Sequence, residues 1–476
     1  MESKPPLPVS ADSYVSTHST ALERASSQAL VGDENPLNWS ALRKWPLSII
    51  VILMSATMGY YSGVHAASIQ AVADFYGCSV LASTSAVSFF LLGFAIGPLF
   101  FAPLSEMLGR NPILRVAFGL FVISNIGDAL APNIETLLFF RFLGGLLGAP
   151  TVTNTAGSLT DMWAPHERAV PLALFTAASF LGFVIGPICG GPITQYASWQ
   201  WGYWTSMILG GITYICALLF LPETYAPQLV RAKQIKAGGN LSNVDWKKRA
   251  RDNLVRPWVM LFTEPIVWAL STYMAFLYGI MCLVLVAYPI VYKEYRGWST
   301  AKMSVGYTGL AMGMALPTIL SPLLNRAHTH FVRKLGPQPE ARFPLQIAFT
   351  WLTPIGLFWF AWTATASVPA VVPILAGVPL GIGLLTAFLD IAAYLTDCYG
   401  IYGASALAAN GLLCRLFGAA FPLFSKRLYE SLGVPWGTSL LAFVATAMAP
   451  IPWIFYRYGP TIRKKSAYHQ AAMGRT

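Results

Sequence analysis

Twelve apolar runs, each long enough to cross a bilayer, leave few folds open to this chain. They fall near 46–68, 80–104, 112–131, 135–158, 170–195 and 201–221, and again near 265–290, 303–325, 344–364, 368–391, 402–424 and 434–456. A helix crossing the hydrocarbon core needs about 20 apolar residues. Backbone polar groups in lipid must be satisfied within the segment, which restricts spanning elements to helices and closed barrels. Barrel strands run to about 10 residues with alternating polarity, and these runs do neither. The expectation is an all-α membrane protein of twelve transmembrane helices, six on each side of a polar segment.

The composition agrees. Hydrophobic residues make up 55% of the 476 and charged residues 11%, against roughly 25% charged in a soluble domain. The six cysteines are scattered without paired spacing, so they read as small apolar residues and not as a metal or disulfide framework. The division expected from the runs is a disordered cytosolic tail over 1–45, a six-helix bundle over 46–221 and a basic cytosolic loop over 222–264. A second bundle over 265–456 and a cytosolic tail over 457–476 complete it. No apolar run lies close to Met1, so no cleaved signal peptide is expected.

A net charge of +11 invites a nucleic-acid reading, but the placement of the charges opposes it. With the N-terminus inside, 24 of the 31 Lys and Arg residues fall in inner segments and five in outer ones. Basic residues gather on the cytoplasmic side of short loops, so both termini are expected in the cytosol. The central run Lys247-Lys248-Arg249-Ala250-Arg251 then serves orientation and attraction to anionic inner-leaflet lipid. Only Arg141 and Arg415 lie deep within spans.

Small residues recur at four-residue spacing: Gly93 and Gly97, Gly144 and Gly148, Gly182, Gly186 and Gly190, Gly309 and Gly313, Gly377 and Gly381. This spacing puts glycines on one helix face and lets backbones approach. Static packing explains any one pair; several together beside prolines suit helices that bend and slide. In Gly186-Pro187-Ile188-Cys189-Gly190-Gly191 the proline removes a ladder hydrogen bond, so this stretch belongs at an interior helix–helix contact.

Certain of these stretches carry a family resemblance. Ala102-Pro-Leu-Ser-Glu-Met-Leu-Gly-Arg-Asn-Pro112 resembles motif A of the major facilitator superfamily, Arg141-Phe-Leu-Gly-Gly145 its motif B, and Gly186–Gly191 motif C of its antiporters. Asn35-Pro-Leu-Asn-Trp39, Leu221-Pro-Glu-Thr-Tyr-Ala-Pro227, Arg256-Pro-Trp with Glu264-Pro265, and Ala408-Ala-Asn-Gly…Arg415 resemble the fungal twelve-span drug:proton antiporters, which include multidrug and polyamine exporters. Motif A departs from its pattern at Ala102, Glu106, Met107 and Asn111, which leaves fewer charges to lock the gate. Glu106 and Arg110, flanking Gly109, stay four apart and can pair on a helical turn. The resemblance implies two pseudo-symmetric six-helix bundles around a central cavity, and proton-driven export of a small organic compound across the plasma membrane, or the vacuolar membrane as the alternative. It implies no cofactor, no nucleic-acid partner and a monomer.

The candidate site residues follow. Arg141 sits about six residues into span 4, roughly 9 Å from its boundary by helical rise; a bare arginine there is costly, so it must face a cavity or a partner. The resemblance implies proton coupling or substrate binding, with a snorkelling structural arginine as the other reading. Arg415 lies deeper, either as a structural link or a substrate contact. His65, Asp128 and Asp390 are the candidate proton carriers, though each can equally be a satisfied core or interface group. Asn154, Gln70 and Asn410 are candidate hydrogen-bond partners, and Tyr61 and Tyr273 candidate aromatic contacts. Gly186, Pro187, Gly190 and Gly191, with Glu106, Gly109 and Arg110, are expected to gate. A polyamine site wants several buried carboxylates, whereas the deep charges here are arginines, which clamp carboxylates bidentately. Neutral aromatic or weakly acidic organic molecules are therefore expected over polycations. A carboxylate transporter of the same fold, a polyamine exporter and a non-transporting nutrient sensor remain the alternatives. No Gly-x-x-x-x-Gly-Lys-Ser/Thr loop occurs, so neither ATP hydrolysis nor another enzymatic activity is expected.

Overall fold

The computed structural model describes residues 30, 32–164, 167–236, 246–336 and 338–472, with the side chains of 103, 106, 236, 246–253, 322, 335, 401 and 472 outside that set. The described residues form helices and turns. Nine helices each make one crossing: Ala41–Ala67, Val80–Ala102, Arg110–Ala129, Ile134–Met162, Ala169–Tyr196, Gln200–Phe220, Pro265–Tyr295, Pro339–Thr363 and Val371–Tyr399. A tenth crossing, span 8, is a pair, Thr300–Ile319 and Leu323–Lys334, bent by 53°. The last element, Gly403–Arg463, is 61 residues long, roughly three times what one crossing needs. Gly433 divides it at φ 72° and ψ 165°, a backbone conformation open to glycine and strained for other residues. Its halves, 403–432 and 434–463, are spans 11 and 12, which gives twelve.

Local signals start several of these helices. Asn133 accepts from the Thr136 N–H at 2.8 Å at the head of span 4, Ser79 accepts from Ala82 N–H at 3.2 Å at the head of span 2, and Pro265 opens span 7. Side-chain acceptors and a first-turn proline satisfy or remove amides that have no helical partner. Span 1 starts at Ala41, ahead of the run expected from 46, and the segment before it is tied back by Lys44 Nζ donating to the Leu37 carbonyl at 2.9 Å and Trp39 Nε1 donating to Asp33 O at 2.7 Å. The rest of the tail expected as disordered, residues 1–29 and 31, lies outside the described residues. The central segment, read as a loop, contains helices over Ala226–Lys236 and Trp246–Thr263. The basic side chains at 247–249 and 251 lie outside the described set.

Helix pairing reveals an internal repeat. Span 1 packs on 5, span 2 on 4 and span 3 on 6; in the second half span 7 packs on 11, 8 on 10 and 9 on 12. Contacts between the halves follow the same twofold relation, 2 against 11 and 5 against 8. Spans 1 and 7 are the most buried, at 72% and 89%. Spans 6 and 12 turn Ile212, Ile215, Leu440 and Phe443 outward, an apolar face that suits lipid and not water.

Glycines set the tightest of these contacts. A Cβ on Gly186 would lie 2.6 Å from Tyr60 O and from Val64 N, and one on Gly190 2.8 Å from Val64 O. The motif-C stretch thus lies against span 1. Gly377 and Gly381 meet span 8 in the same way, with Leu310 N and Leu310 O at 2.6 and 2.7 Å from the added carbon. Such contacts are backbone against backbone and cannot yield by a rotamer change. We expect Gly186→Val to lower the thermal unfolding temperature of the detergent-purified protein, by the equivalent of about 1–3 kcal/mol or more. Gly211→Ala, whose added carbon meets nothing within 4 Å, serves as the neutral comparison.

Candidate functional site

A cavity of about 670 Å³ lies between the halves, within the size range of small-molecule sites. Its walls come from both bundles: Met58 and Ser62 of span 1, Phe90 and Phe94 of span 2, Phe180 and Phe183 of span 5, Tyr278 of span 7, Phe388 and Asp390 of span 10, and Asn410 and Arg415 of span 11. Its lining runs out to Arg168, Asn325, His328, Arg342 and Asp397, of which Asn325 and Asp397 are exposed. These residues stand at the face that carries both chain ends, tied there by contacts such as Lys233 to Glu34 at 2.8 Å and Tyr468 N–H to Glu264 at 3.2 Å. The cavity therefore opens to the terminal face. Toward the other face the halves meet. Ser88 Oγ donates to Ala419 O at 2.7 Å, Ser304 Oγ to Pro187 O at 2.9 Å and Ala301 N–H to Gln195 Oε1 at 2.7 Å. Gly191 faces Ser304 and Thr300 at this seam, with no room for a side chain.

Arg141 does not reach the cavity. It is fully buried, at 0% exposure, and its partners are backbone carbonyls: Nη1 to Tyr61 O at 2.9 Å, Nε to Ala86 O at 3.3 Å and Nη2 to Ser62 O at 3.4 Å. The reason lies in span 1, whose α-helix ends at Val64 and turns into a 3₁₀ segment at His65–Ala67. The last carbonyls of a helix lack intrahelical partners, and a cation is favoured at that end of the dipole. The rings of Tyr61, Phe90 and Tyr203 surround the guanidinium at 4.6, 5.1 and 5.8 Å. Arg141 is thus the cap of span 1 inside an aromatic cage.

Tyr61 connects this cap to Asp128. Its hydroxyl donates to Asp128 Oδ2 at 2.7 Å, while Asp128 Oδ1 is buried without a hydrogen-bond partner among the described residues. Gly144, whose added carbon would lie 2.9 Å from Tyr61 Cζ, makes room for the ring. His65 belongs to the same cluster. Its Nε2 lies 2.9 Å from the Ser83 carbonyl, and its Nδ1 2.8 Å from Tyr203 Oη. A carbonyl only accepts, so Nε2 carries the proton, and in the neutral ring Nδ1 accepts from the Tyr203 hydroxyl. His65 therefore links spans 1, 2 and 6. The cluster touches the cavity only through Ser62 and Phe90, which line it.

The other candidates divide. Asn410, Asp390 and Arg415 line the cavity. Asn410 donates weakly to Ser271 Oγ at 3.4 Å. Tyr273 is buried beside the cavity with its hydroxyl 2.6 Å from Thr350 Oγ1. Asn154 is fully buried in span 4 and neither polar atom of its side chain has a partner among the described residues. Gln70 sits on the short helix Ile69–Tyr76 beyond span 1 and donates to Asp74 at 2.8 Å, away from the cavity.

At the terminal face the structure holds ion clusters that sequence reasoning had not assembled. Glu223 accepts from four backbone N–H groups: Arg110 at 3.0 Å, Asn111 at 3.1 Å, Thr224 at 3.0 Å and Tyr225 at 2.9 Å. The first two are the free amides at the head of span 3, so this carboxylate caps the helix. Gly109, at φ 103°, leaves the space that Glu223 fills. Arg110 pairs with Asp161 at 3.5 Å; the expected pairing with Glu106 involves a side chain outside the described set. The second half repeats the arrangement, with Arg342 at the head of span 9 against Asp397 near the end of span 10 at 2.8 Å. There Arg463 at the end of span 12 meets Glu340 at 2.7 Å. The only sequence signal for these pairs was their common location at span ends. We expect Glu223→Ala to leave amides unpaired and lower the unfolding temperature by the equivalent of about 1–3 kcal/mol, measured on the purified protein.

Comparison with known proteins fits this arrangement. The sequence model of the Major Facilitator Superfamily matches residues 47–422. Over 91% of its length the chain is 41% identical to the major facilitator superfamily multidrug transporter mdrA of Aspergillus fumigatus, of which it covers 74%. It is 36% identical to the citrinin biosynthesis cluster transporter mrr1 of Monascus ruber, over 91% of this chain and 90% of that one. Among solved structures, the proton:xylose symporter XylE superposes with a TM-score of 0.65 over 88% of this chain and 97% of that one, at 18% identity, a likeness of fold.

Proposed function

Since the chain belongs to the Major Facilitator Superfamily, a superfamily of transporters and not enzymes, we propose that it exports small organic compounds, drugs or secondary metabolites, from a fungal cell in exchange for protons. The observation that carries this reading is the asymmetry of the cavity, open at the terminal face and sealed at the other. The excess of basic residues at the terminal face supports placing that face in the cytosol. The state described is then the loading state of an exporter. The resemblance to a multidrug transporter and to a transporter of a biosynthetic cluster supports a cargo of this kind. We assign the protein to the plasma membrane as a monomer, with 46–221 and 265–456 as the two moving bundles, and the basic segment between them against inner-leaflet lipid.

For coupling, the cluster at the end of span 1 supports Asp128 as the proton-bearing group, with Tyr61 and Arg141 transmitting its state. A charged Asp128 attracts the caged guanidinium; a proton arriving from outside removes that attraction and loosens the cap on span 1. Ser62 and Phe90 carry the change to the cavity wall. His65, with both ring nitrogens engaged, is given the structural part. A polyamine cargo is disfavoured, since the cavity lining carries three arginines, Arg168, Arg342 and Arg415, against two carboxylates, Asp390 and Asp397.

Reconstitution in proteoliposomes with an imposed pH gradient tests the reading. The wild-type protein should accumulate a fluorescent drug against its gradient, and Asp128→Asn should retain downhill flux while losing the pH-driven component about tenfold or more. Pumping by Asp128→Asn that still follows the pH gradient would remove the coupling assignment, and wild-type flux indifferent to pH would turn the reading to a uniporter. Carboxylate flux that runs with the proton would instead favour a symporter of organic acids.

A further inference from the structure

The deep part of the cavity has a charge that no acceptor or carboxylate among the described residues answers. Arg415 lies twelve residues into span 11, about 18 Å from the start of that helix at Gly403 by helical rise. Its guanidinium rests on the face of Phe94, 4.1 Å from the ring centroid. Gly411, one turn earlier, leaves the space that Nη1 occupies. The Nε of Arg415 is buried with no hydrogen-bond partner among the described residues. Its Nη atoms donate to no described acceptor, and no described carboxylate lies within ion-pair distance. By contrast Arg141 is engaged with three carbonyls, Arg110 with Asp161 and Arg342 with Asp397. A guanidinium presents five donors in a fixed fork, and leaving them unmet away from water is costly.

Asp390 does not answer it. That residue lies about 13 Å from the end of span 10 by helical rise, nearer the mouth, on the side of Arg342. Around Arg415 the walls are aromatic and join the two bundles: Phe180 and Phe388 have centroids 4.6 Å apart, Tyr278 and Phe388 5.9 Å, and Phe183 and Tyr278 6.5 Å. The mouth adds Arg168 and Arg342 to the lining together with Asp390 and Asp397, so that the charges there offset one another and Arg415 carries the net positive charge of the cavity.

We propose that the cavity binds aromatic organic anions, with the ligand's carboxylate on the Nη1 and Nη2 edge of Arg415 and its ring among Phe94, Tyr278 and Phe388. This assignment rests on the transport reading above and narrows its cargo. The fork of the guanidinium matches a carboxylate in two parallel hydrogen bonds, and the rings offer offset or edge contacts to a flat molecule. Binding would supply the acceptors that the protein withholds.

Equilibrium binding of radiolabelled 2-naphthoate to the full chain in detergent tests it, with 2-naphthamide and 2-naphthylmethylammonium as competitors. We expect naphthoate to bind saturably, and the amide and the ammonium to compete at least about tenfold more weakly. Arg415→Gln should lower naphthoate affinity by about tenfold to a hundredfold, with Arg415→Lys intermediate and amide affinity unchanged. Phe94→Leu, which keeps the charge, should weaken all three probes alike and controls for loss of fold, as does the unfolding temperature of each variant. Equal affinity for naphthoate and the amide, tighter binding of the ammonium, or naphthoate binding unaltered in a folded Arg415→Gln protein would each overturn the proposal. These results leave the export reading standing, because binding needs no flux; export fails separately, if drug flux is absent from proteoliposomes of a protein that binds.

Discussion

The arrangement of the first bundle depends on how a buried cation is accommodated at the end of span 1. An arginine in the middle of a membrane helix costs about 2.5–3.5 kcal/mol on insertion scales. Here that cost is offset by carbonyls that the helix end would otherwise leave unmet, and by three aromatic faces. One group thereby solves two problems, the charge of Arg141 and the open end of a helix. Tyr61, Asp128, Tyr203 and His65 are then positioned by the need to enclose that group, and they tie spans 1, 2, 3, 4 and 6 together.

Within each half glycines bring backbones into direct contact, and between the halves spans 2 and 11 and spans 5 and 8 pack together as well. Glycines of span 5 lie on span 1, and those of span 10 on span 8, close enough that a methyl group would not fit. Small-residue contacts of this kind stand in for the hydrophobic driving force that lipid does not supply. The seam on the closed face relies on hydroxyl and amide donors reaching single carbonyl or amide acceptors, each of modest strength. Stiff bundles that meet along two helix pairs can rock as units, the mechanical form that alternating access takes in transporters with internal repeats.

Much of the architecture was legible in the sequence because the bilayer imposes a strict length and polarity on what crosses it. The twelve crossings and the interior position of Gly186–Gly191 followed from apolar run length and glycine spacing. The repeat did not, since it resides in which helices touch and not in recognisable residue identities. Span 8 continues past its apolar run as a bent, polar helix, which hydropathy alone reads as loop. The site was legible in part. Arg141, Asp128, Tyr61 and His65 were visible as unusual residues at membrane depth, and so was Arg415. That Arg141 turns to backbone and Arg415 to open space could not be read, because carbonyls freed at a helix end leave no mark in the sequence. The Glu223 cap was missed for the same reason: its partners are amides.

That cap has a consequence for how the chain can change over time. Because Glu223 reads amides and not side chains, the identities of the residues that follow Gly109 are of little concern to it. Asn111 can stand where the resembled motif carries a basic residue, and the head of span 3 is still held. What cannot drift is the absence of a side chain at position 109 and the presence of a carboxylate at 223. The turn therefore combines two kinds of contact: the Glu223 cap, which reads backbone alone, and the side-chain contacts of Arg110 with Asp161 and of Asn111 Nδ2 with the Leu221 carbonyl at 2.6 Å, which depend on the residues that make them.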